Sequence, residues 1–298
     1  MRILITGCNG LLGQNLVRLA PAGAEVAGLD LAATSLPAVS EYFSVDLGER
    51  KQVLAAVSEW QPQWILNAAA FTDVDGAETQ RELCWRVNVA AVENLVYACR
   101  KVPAAIAHVS TDYIFDGNHG PYREEDPPNP IGYYGRSKLA GENVLTASEV
   151  PHAIARTMVL YGYGLSVRPN FVTWLIAKLQ KGEGVRIVTD QLGNATLADE
   201  LALALWRMVE VNASGTFHIA GRDVISRYDF AMAIARVFAL DPSLITAITT
   251  DQLKQAAPRP MKSGLVVEKA IRELGVRLSG AEEGLRFFKN VLDAAHPA

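Results

Sequence analysis

The chain is 298 residues long, half of them apolar and 20% charged, with a net charge of −4 from 28 basic and 32 acidic side chains. That length accommodates two domains of roughly 150 residues, or one large domain with a cap, and buries a core without disulfide or metal staples. The near balance of signs argues against a basic nucleic-acid footprint. Cys8, Cys84 and Cys99 form no Cys-x-x-Cys pair, so neither a disulfide framework nor a metal site is expected. A reducing, cytoplasmic location is the expectation. The opening Met-Arg-Ile-Leu-Ile-Thr-Gly holds too short an apolar run for a signal peptide. No run reaches the roughly 18 apolar residues of a membrane span, so no membrane partner is expected.

Arg2–Thr6 is a compact apolar run that predicts a strand, followed by glycines and a helical pattern in Leu12, Leu16 and Leu19. Further strand-like runs lie at Glu25–Leu29, Gln63–Leu66, Ala104–Val109 and Ala153–Arg156, with helical stretches near 49–60, 77–101 and 133–148. Short apolar runs separated by helices predict a parallel sheet covered on both faces. The expected fold is therefore α/β, a Rossmann-type doubly wound sheet, with a smaller C-terminal cap. Beyond it the pattern predicts a helix over 170–182, a strand at Val185–Val188, a helix at Leu197–Val209, a strand at Thr216–Ile219 and a helix over 227–239. After Asp241-Pro242 the pattern is irregular, and Pro258 and Pro260 mark extended chain. The expected division is a core over 1–157, completed by about 185–220, with a cap from about 158–184 and 221–298.

Gly7, Asn9, Gly10, Leu11, Leu12 and Gly13 follow the first strand and open the first helix, with the glycines spaced G-x-x-G-x-x-G. Glycine permits a tight turn and lets backbone N–H groups approach a pyrophosphate at a helix N-terminus, where the helix dipole favours negative charge. A turn that binds nothing has the same local look; the place after an N-terminal strand is what points to a dinucleotide. Asp30 ends the second strand, where a carboxylate accepts from both adenosine ribose hydroxyls and repels a 2′-phosphate. NADH is therefore the expected cofactor, with NADPH as the alternative. Asp46 and Leu47 are placed to meet the adenine, and Ala68, Ala69 and Ala70 are small enough for the backbone to lie close to the cofactor.

Tyr134 and Lys138 stand four residues apart, on one face of a predicted helix. A phenol titrates near pH 10 in water, and a neighbouring ammonium lowers that value. The pair can exchange a proton with a substrate oxygen. Thr111, after the fourth strand, can orient a carbonyl oxygen by hydrogen bonding.

Together these residues resemble the extended short-chain dehydrogenase/reductase superfamily, and within it the dTDP-4-dehydrorhamnose reductase family. The closer likeness is carried by Val74-Asp75-Gly76-Ala77-Glu78, by the run from Ser110 to Gly117, by Tyr134 to Glu142, by Asp190-Gln191-Leu192-Gly193 and by Arg259-Pro260. It implies NAD(P)H-dependent reduction of the C4 carbonyl of a dTDP-sugar in dTDP-L-rhamnose biosynthesis. It also implies roles: Tyr134 as proton donor, Lys138 holding the nicotinamide ribose, Thr111 on the C4 oxygen, and Asp112 and Tyr113 beside the sugar. Asn88 would support the active-site helix and the cofactor end of the site. Where related dehydratases carry Thr-Asp-Glu, this chain has Thr111-Asp112-Tyr113, which removes an acid/base group that elimination needs. Val159 stands where the family usually has a tryptophan, and Asn194-Ala195-Thr196 lacks the usual proline. Arg259 and Lys262 are the candidate diphosphate ligands. The alternatives are a non-catalytic regulatory subunit resembling that of methionine adenosyltransferase, and another nucleotide-sugar reductase or epimerase. The resemblance leaves room for a homodimer.

Overall fold

The computed structural model describes residues 1–295; residues 296–298, the end of the expected cap, lie outside the described residues. The first half alternates strands and helices: β1 (Arg2–Thr6), α1 (Leu11–Arg18), β2 (Glu25–Asp30), β3 (Glu41–Ser44), α2 (Arg50–Trp60) and β4 (Trp64–Asn67). Next come α3 (Gly76–Thr79), α4 (Arg81–Trp85), a π-helical turn (Arg86–Ala90), α5 (Ala91–Lys101), β5 (Ala105–Thr111), α6 (Tyr133–Thr146) and β6 (His152–Thr157). The single helix expected over 77–101 is thus four pieces. The π turn carries Asn88, and such insertions gather at functional positions. β3 went unforeseen because it is a short edge strand, half-exposed on both faces.

The second half contains β7 (Leu160–Tyr161), α7 (Phe171–Gln180), β8 (Val185–Val188), β9 (Leu192–Gly193), β10 (Thr196–Leu197), α8 (Ala198–Glu210) and β11 (Gly215–His218). It ends with β12 (Ile225–Ser226), α9 (Arg227–Val237), β13 (Ile245–Ile248), α10 (Thr250–Leu253), α11 (Glu268–Leu274) and α12 (Ala281–Ala295).

Seven strands form one parallel sheet in the order β11-β6-β5-β4-β1-β2-β3. The chain runs outward from β1 in one direction and from β4 in the other. The carboxyl ends of β1 and β4 therefore flank a crevice at a topological switch point, the usual place for a ligand in a doubly wound sheet. α1 and α8 cover one face through Leu12, Leu16, Leu201 and Leu205. α2, α5 and α6 cover the other through Val53, Val57, Val92, Leu95 and Leu145. Among the described residues no helix is long and apolar enough to cross a membrane.

A second apolar centre gathers Tyr161 of β7 with Val172, Leu175, Phe230, Ile234, Leu285 and Phe288 from α7, α9 and α12. Of the segment expected to complete the core, α8 and β11 join the large sheet. Val185–Val188 instead pairs with Ile245–Ile248 in a separate two-stranded sheet and packs in this second centre. In the other direction, α11 and Leu278, expected in the cap, pack on the large sheet's side through Ala270, Leu274 and Leu278. The stretch after 242, read as irregular, holds β13 and α12. The apolar spacing of Ala281, Leu285, Phe288 and Leu292 places one stripe of α12 on the second centre.

Candidate active site

A groove of about 770 Å³ opens at the switch point. Gly7, Asn9, Gly10, Leu11, Leu12 and Gly13 form one wall, with Asp30, Asp46 and Leu47 beyond them and Ala68, Ala69 and Ala70 opposite. Thr111, Asp112, Tyr113, Tyr134 and Lys138 line the same continuous groove. The structure therefore brings together every expected cofactor residue except Asn88.

The glycine loop is shaped for close approach. A Cβ on Gly13 would lie 2.1 Å from the Gly7 carbonyl oxygen, so only glycine lets α1 start this near the loop. Gly10 stands at the N-cap and supplies no side-chain cap, and among the described residues the first N–H groups of α1 have no side-chain partner there. An anion at this point would satisfy them. Asp30 accepts from the Asn9 N–H at 3.0 Å and the Leu31 N–H at 2.8 Å, which presents its carboxylate at the groove edge. The Asn9 side chain accepts from Leu36 N–H and donates to the Thr34 carbonyl, tying the loop after β2 to the glycine loop. These features fit the adenosine and pyrophosphate of a dinucleotide.

At the other end, Tyr134 lies in the first turn of α6 and is buried edge-on to Tyr113, with ring centroids 5.5 Å apart. Gly135 permits this packing: a Cβ there would lie 2.1 Å from the Tyr113 carbonyl oxygen. Burial pushes the Tyr134 phenol well above its ordinary value, the Thr111 hydroxyl partly opposing it. The lowering expected from Lys138 does not arise; burial dominates, and Tyr134 is held as a protonated acid. Burial also depresses the Lys138 ammonium to about 8, with Glu142 acting the other way. Lys138 Nζ donates to the Val109 carbonyl at 2.7 Å.

Behind Lys138 runs a buried chain that sequence reasoning missed. Thr6 donates to Asn67 Oδ1 at 2.7 Å, Asn67 Nδ2 faces His108 Nδ1 at 2.9 Å, and His108 Nε2 faces Lys138 Nζ at 3.5 Å. Burial, then the charge of Lys138, holds His108 neutral. The signal was the alternation of β5, which puts His108 and Ser110 on the same face of the strand.

Asn88 does not line the groove. Its Oδ1 accepts from Phe71 N–H at 2.9 Å, and its Nδ2 donates to Ser137 Oγ at 2.9 Å. It ties the loop after β4 to α6, the helix of Tyr134 and Lys138, which is the supporting half of its expected role and not the cofactor contact. Glu142 anchors the same helix through a buried ion pair with Arg156 at 2.7 Å.

Thr111 is placed beside Tyr134, but its hydroxyl donates to Asp112 Oδ1 at 3.2 Å and accepts from Tyr113 N–H at 3.2 Å. Rotation of that hydroxyl is needed before it can donate to a substrate oxygen. Asp112 also accepts from Ser263 Oγ at 2.7 Å, a partner 151 residues away. Burial raises its carboxyl to about 6 against the pull of Ser263, Thr111 and Arg227.

Through Asp112, Tyr113, Met158 and Val159 the groove adjoins a narrower recess of about 30 Å³. Val159 has φ of 46°, an uncommon conformation for a β-branched residue. Arg259 lines the recess and pairs with Asp75 at 2.8 Å. Burial raises the Asp75 carboxyl, but Arg259 and the Ala257 N–H outweigh it and leave Asp75 below its usual range. Lys262 does not line the recess. Arg227 does, and no spacing in the sequence singled it out.

Comparison with known proteins adds the family. The family described as RmlD substrate binding domain matches residues 1–293. A dTDP-4-dehydrorhamnose reductase of Aggregatibacter actinomycetemcomitans is 33% identical over 300 residues, covering 96% of this chain and 97% of its own. The crystal structure of a dTDP-4-dehydrorhamnose reductase from Clostridium acetobutylicum ATCC 824 matches with a TM-score of 0.89 and 32% identity, over 98% of this chain and 100% of that one. That of the Bacillus anthracis dTDP-4-dehydrorhamnose reductase in complex with NADP matches with a TM-score of 0.88 and 30% identity, over 97% and 99%.

Proposed function

The chain belongs to the family described as RmlD substrate binding domain, and we propose that it is an NAD(P)H-dependent reductase of the C4 carbonyl of a dTDP-4-keto-6-deoxy sugar, a dTDP-4-dehydrorhamnose reductase of dTDP-L-rhamnose biosynthesis. The observation that carries the reading is one groove joining the glycine loop at the start of α1 to the buried Tyr134, whose phenol burial holds protonated.

Each residue then has a task. Gly7 to Gly13 and Asp30 would hold the pyrophosphate and adenosine ribose, and Lys138 the nicotinamide ribose. The chemistry a bound dinucleotide supplies is a hydride. Tyr134 gives its proton to the carbonyl oxygen, and burial keeps that proton in place until charge develops there. Thr111, turned from Asp112, donates to the same oxygen, so developing negative charge meets two O–H groups. Tyr113 packs against Tyr134 and supplies no carboxyl for elimination, which favours reduction over dehydration. The set Thr111, Tyr134 and Lys138 is complete, which favours an enzyme over a regulatory subunit. Asp30 favours NADH over NADPH.

The test is NADH and NADPH oxidation with a panel of 4-keto nucleotide sugars. Turnover with dTDP-4-dehydrorhamnose, and less with sugars that keep a 6-hydroxyl, is the expected result. A panel with no turnover by either cofactor overturns the reading.

A further inference from the structure

The recess beside the groove contains an unbalanced cation. Two guanidinium groups, those of Arg227 and Arg259, line it. Arg259 is neutralised by Asp75 and also donates to the Ala257 carbonyl at 2.9 Å. Arg227 is different. Its guanidinium carbon sits over the Phe171 ring, 5.4 Å from the centroid and so within the roughly 6 Å of a cation–π contact. Among the described residues no carboxylate lies within ion-pairing distance of it. Asp112 faces the same recess, but its oxygens are engaged by Ser263 and Thr111.

A half-buried guanidinium with no ion-paired carboxylate has lost part of its water and gained no direct anionic partner in exchange, which leaves its N–H donors available to an incoming acid group. Burial indeed pulls Arg227 below its ordinary value; Tyr113 and Asp112 oppose this, and Arg259 adds to it. Five N–H donors in a planar fork match two oxygens of one acid group. The recess, at about 30 Å³, is roughly twice the space one water requires. That suits one acid group at the end or side of a ligand and excludes a base or a whole sugar ring.

We propose that Arg227 is an oxyanion-binding residue of the substrate site: it receives a phosphoryl or carboxylate group of the ligand whose carbonyl is presented to Tyr134. The inference rests on the reductase reading. It adds a ligand contact on α9 and makes the net charge near the sugar a determinant of which substrate is accepted. Arg227 opens α9, which packs in the second apolar centre, and Tyr134 lies on α6 against the large sheet, so one bound ligand would bridge the two.

The experiment is calorimetric titration of the NADH-bound full-length protein with dTDP, dTDP-glucose and dTDP-glucuronate, for the wild type, Arg227→Gln and Arg227→Lys. NADH affinity and melting temperature serve as controls for folding. Loss of a charge-assisted hydrogen bond predicts about ten- to hundredfold weaker binding by Arg227→Gln, partly restored by Arg227→Lys, with NADH affinity unchanged. Weakening for all three ligands assigns the diphosphate as the source of the oxyanion; weakening for the glucuronate alone assigns a sugar carboxylate. Equal affinities in wild type and Arg227→Gln for every ligand overturn the proposal while leaving the reductase reading intact. A wild type that binds none of the three overturns both.

Discussion

The groove and the recess are neighbours built by opposite means. The groove's working parts are local: one loop from Gly7 to Gly13, and one turn of α6 carrying Tyr134 and Lys138. The recess is assembled from afar: Asp75 meets Arg259 across 184 residues and Asp112 meets Ser263 across 151. A helix or a glycine turn places residues a few positions apart by its own geometry, so their spacing can be read as chemistry. Partners separated by most of the chain meet only because the sheet, the second apolar centre and the extended 256–266 segment have all formed.

The largest expected effect lies in the local region. Tyr134→Phe keeps the ring, its contact with Tyr113 and the groove wall, and removes the proton. Turnover should fall about hundredfold or more, the usual contribution of a general acid, with NADH affinity and melting temperature unchanged. Single-turnover oxidation of bound NADH measures it. Near-wild-type turnover would move the chemistry out of the locally encoded groove and break the comparison at its base.

How far the sequence could be read follows from the same distinction. The parallel strands β1, β2, β4, β5 and β6 were legible because each is a short apolar run buried on both faces. β3 was not, since an edge strand carries little apolar pattern. α12 carried a readable stripe, hidden by the prolines and loops before it. In the site, the Tyr134–Lys138 pair could be placed, but not the burial that reverses the direction of the Tyr134 shift. Thr111 could be placed at the site, but not the Asp112 carboxylate that accepts its hydrogen bond. His108 and Asn67 look like ordinary strand residues until Lys138 is found against them. Arg227 looks like the first residue of an ordinary helix.

The next effect sharpens the comparison on the recess side. Arg259→Ala should raise the Michaelis constant for a dTDP-sugar about tenfold, the loss of one charge-assisted contact, with NADH affinity unchanged. Asp75→Asn is the informative companion. It keeps a hydrogen-bonding group beside Arg259 and removes the competing charge, so the guanidinium attracts an incoming anion more strongly. The Michaelis constant should then fall, by a smaller factor than Arg259→Ala raises it. Steady-state kinetics on the two variants decides the matter. Equal rises in both would mean that the pair merely staples the 256–266 segment, and that the recess takes its ligand through Arg227 alone.

The smallest effect tests the groove where it is least purely local. Asp30 already accepts from Asn9 N–H and Leu31 N–H, so a ribose hydroxyl must share a carboxylate that is in use. Its net worth to NADH is therefore that of an ordinary hydrogen bond, about 1 kcal/mol or roughly fivefold in affinity. Asp30→Ala should weaken NADH by about that factor and tighten NADPH, whose phosphate no longer meets a carboxylate. The loop after β2 complicates the reading of that variant, because losing Asp30 also frees the Asn9 and Leu31 backbone. Asp30→Asn helps to separate the two contributions: the N–H groups of Asn9 and Leu31 reach different carboxylate oxygens, so the amide keeps an acceptor for one of them while the charge is removed. If charge repulsion selects the cofactor, NADPH tightens in both variants while NADH weakens chiefly in Asp30→Ala. If loop order selects it, Asp30→Asn, with one of the two bonds kept, falls between the wild type and Asp30→Ala for both cofactors. Equal affinities for the two cofactors in the wild type would take cofactor choice away from Asp30 altogether. Titration of both cofactors by fluorescence quenching measures all three proteins on one scale.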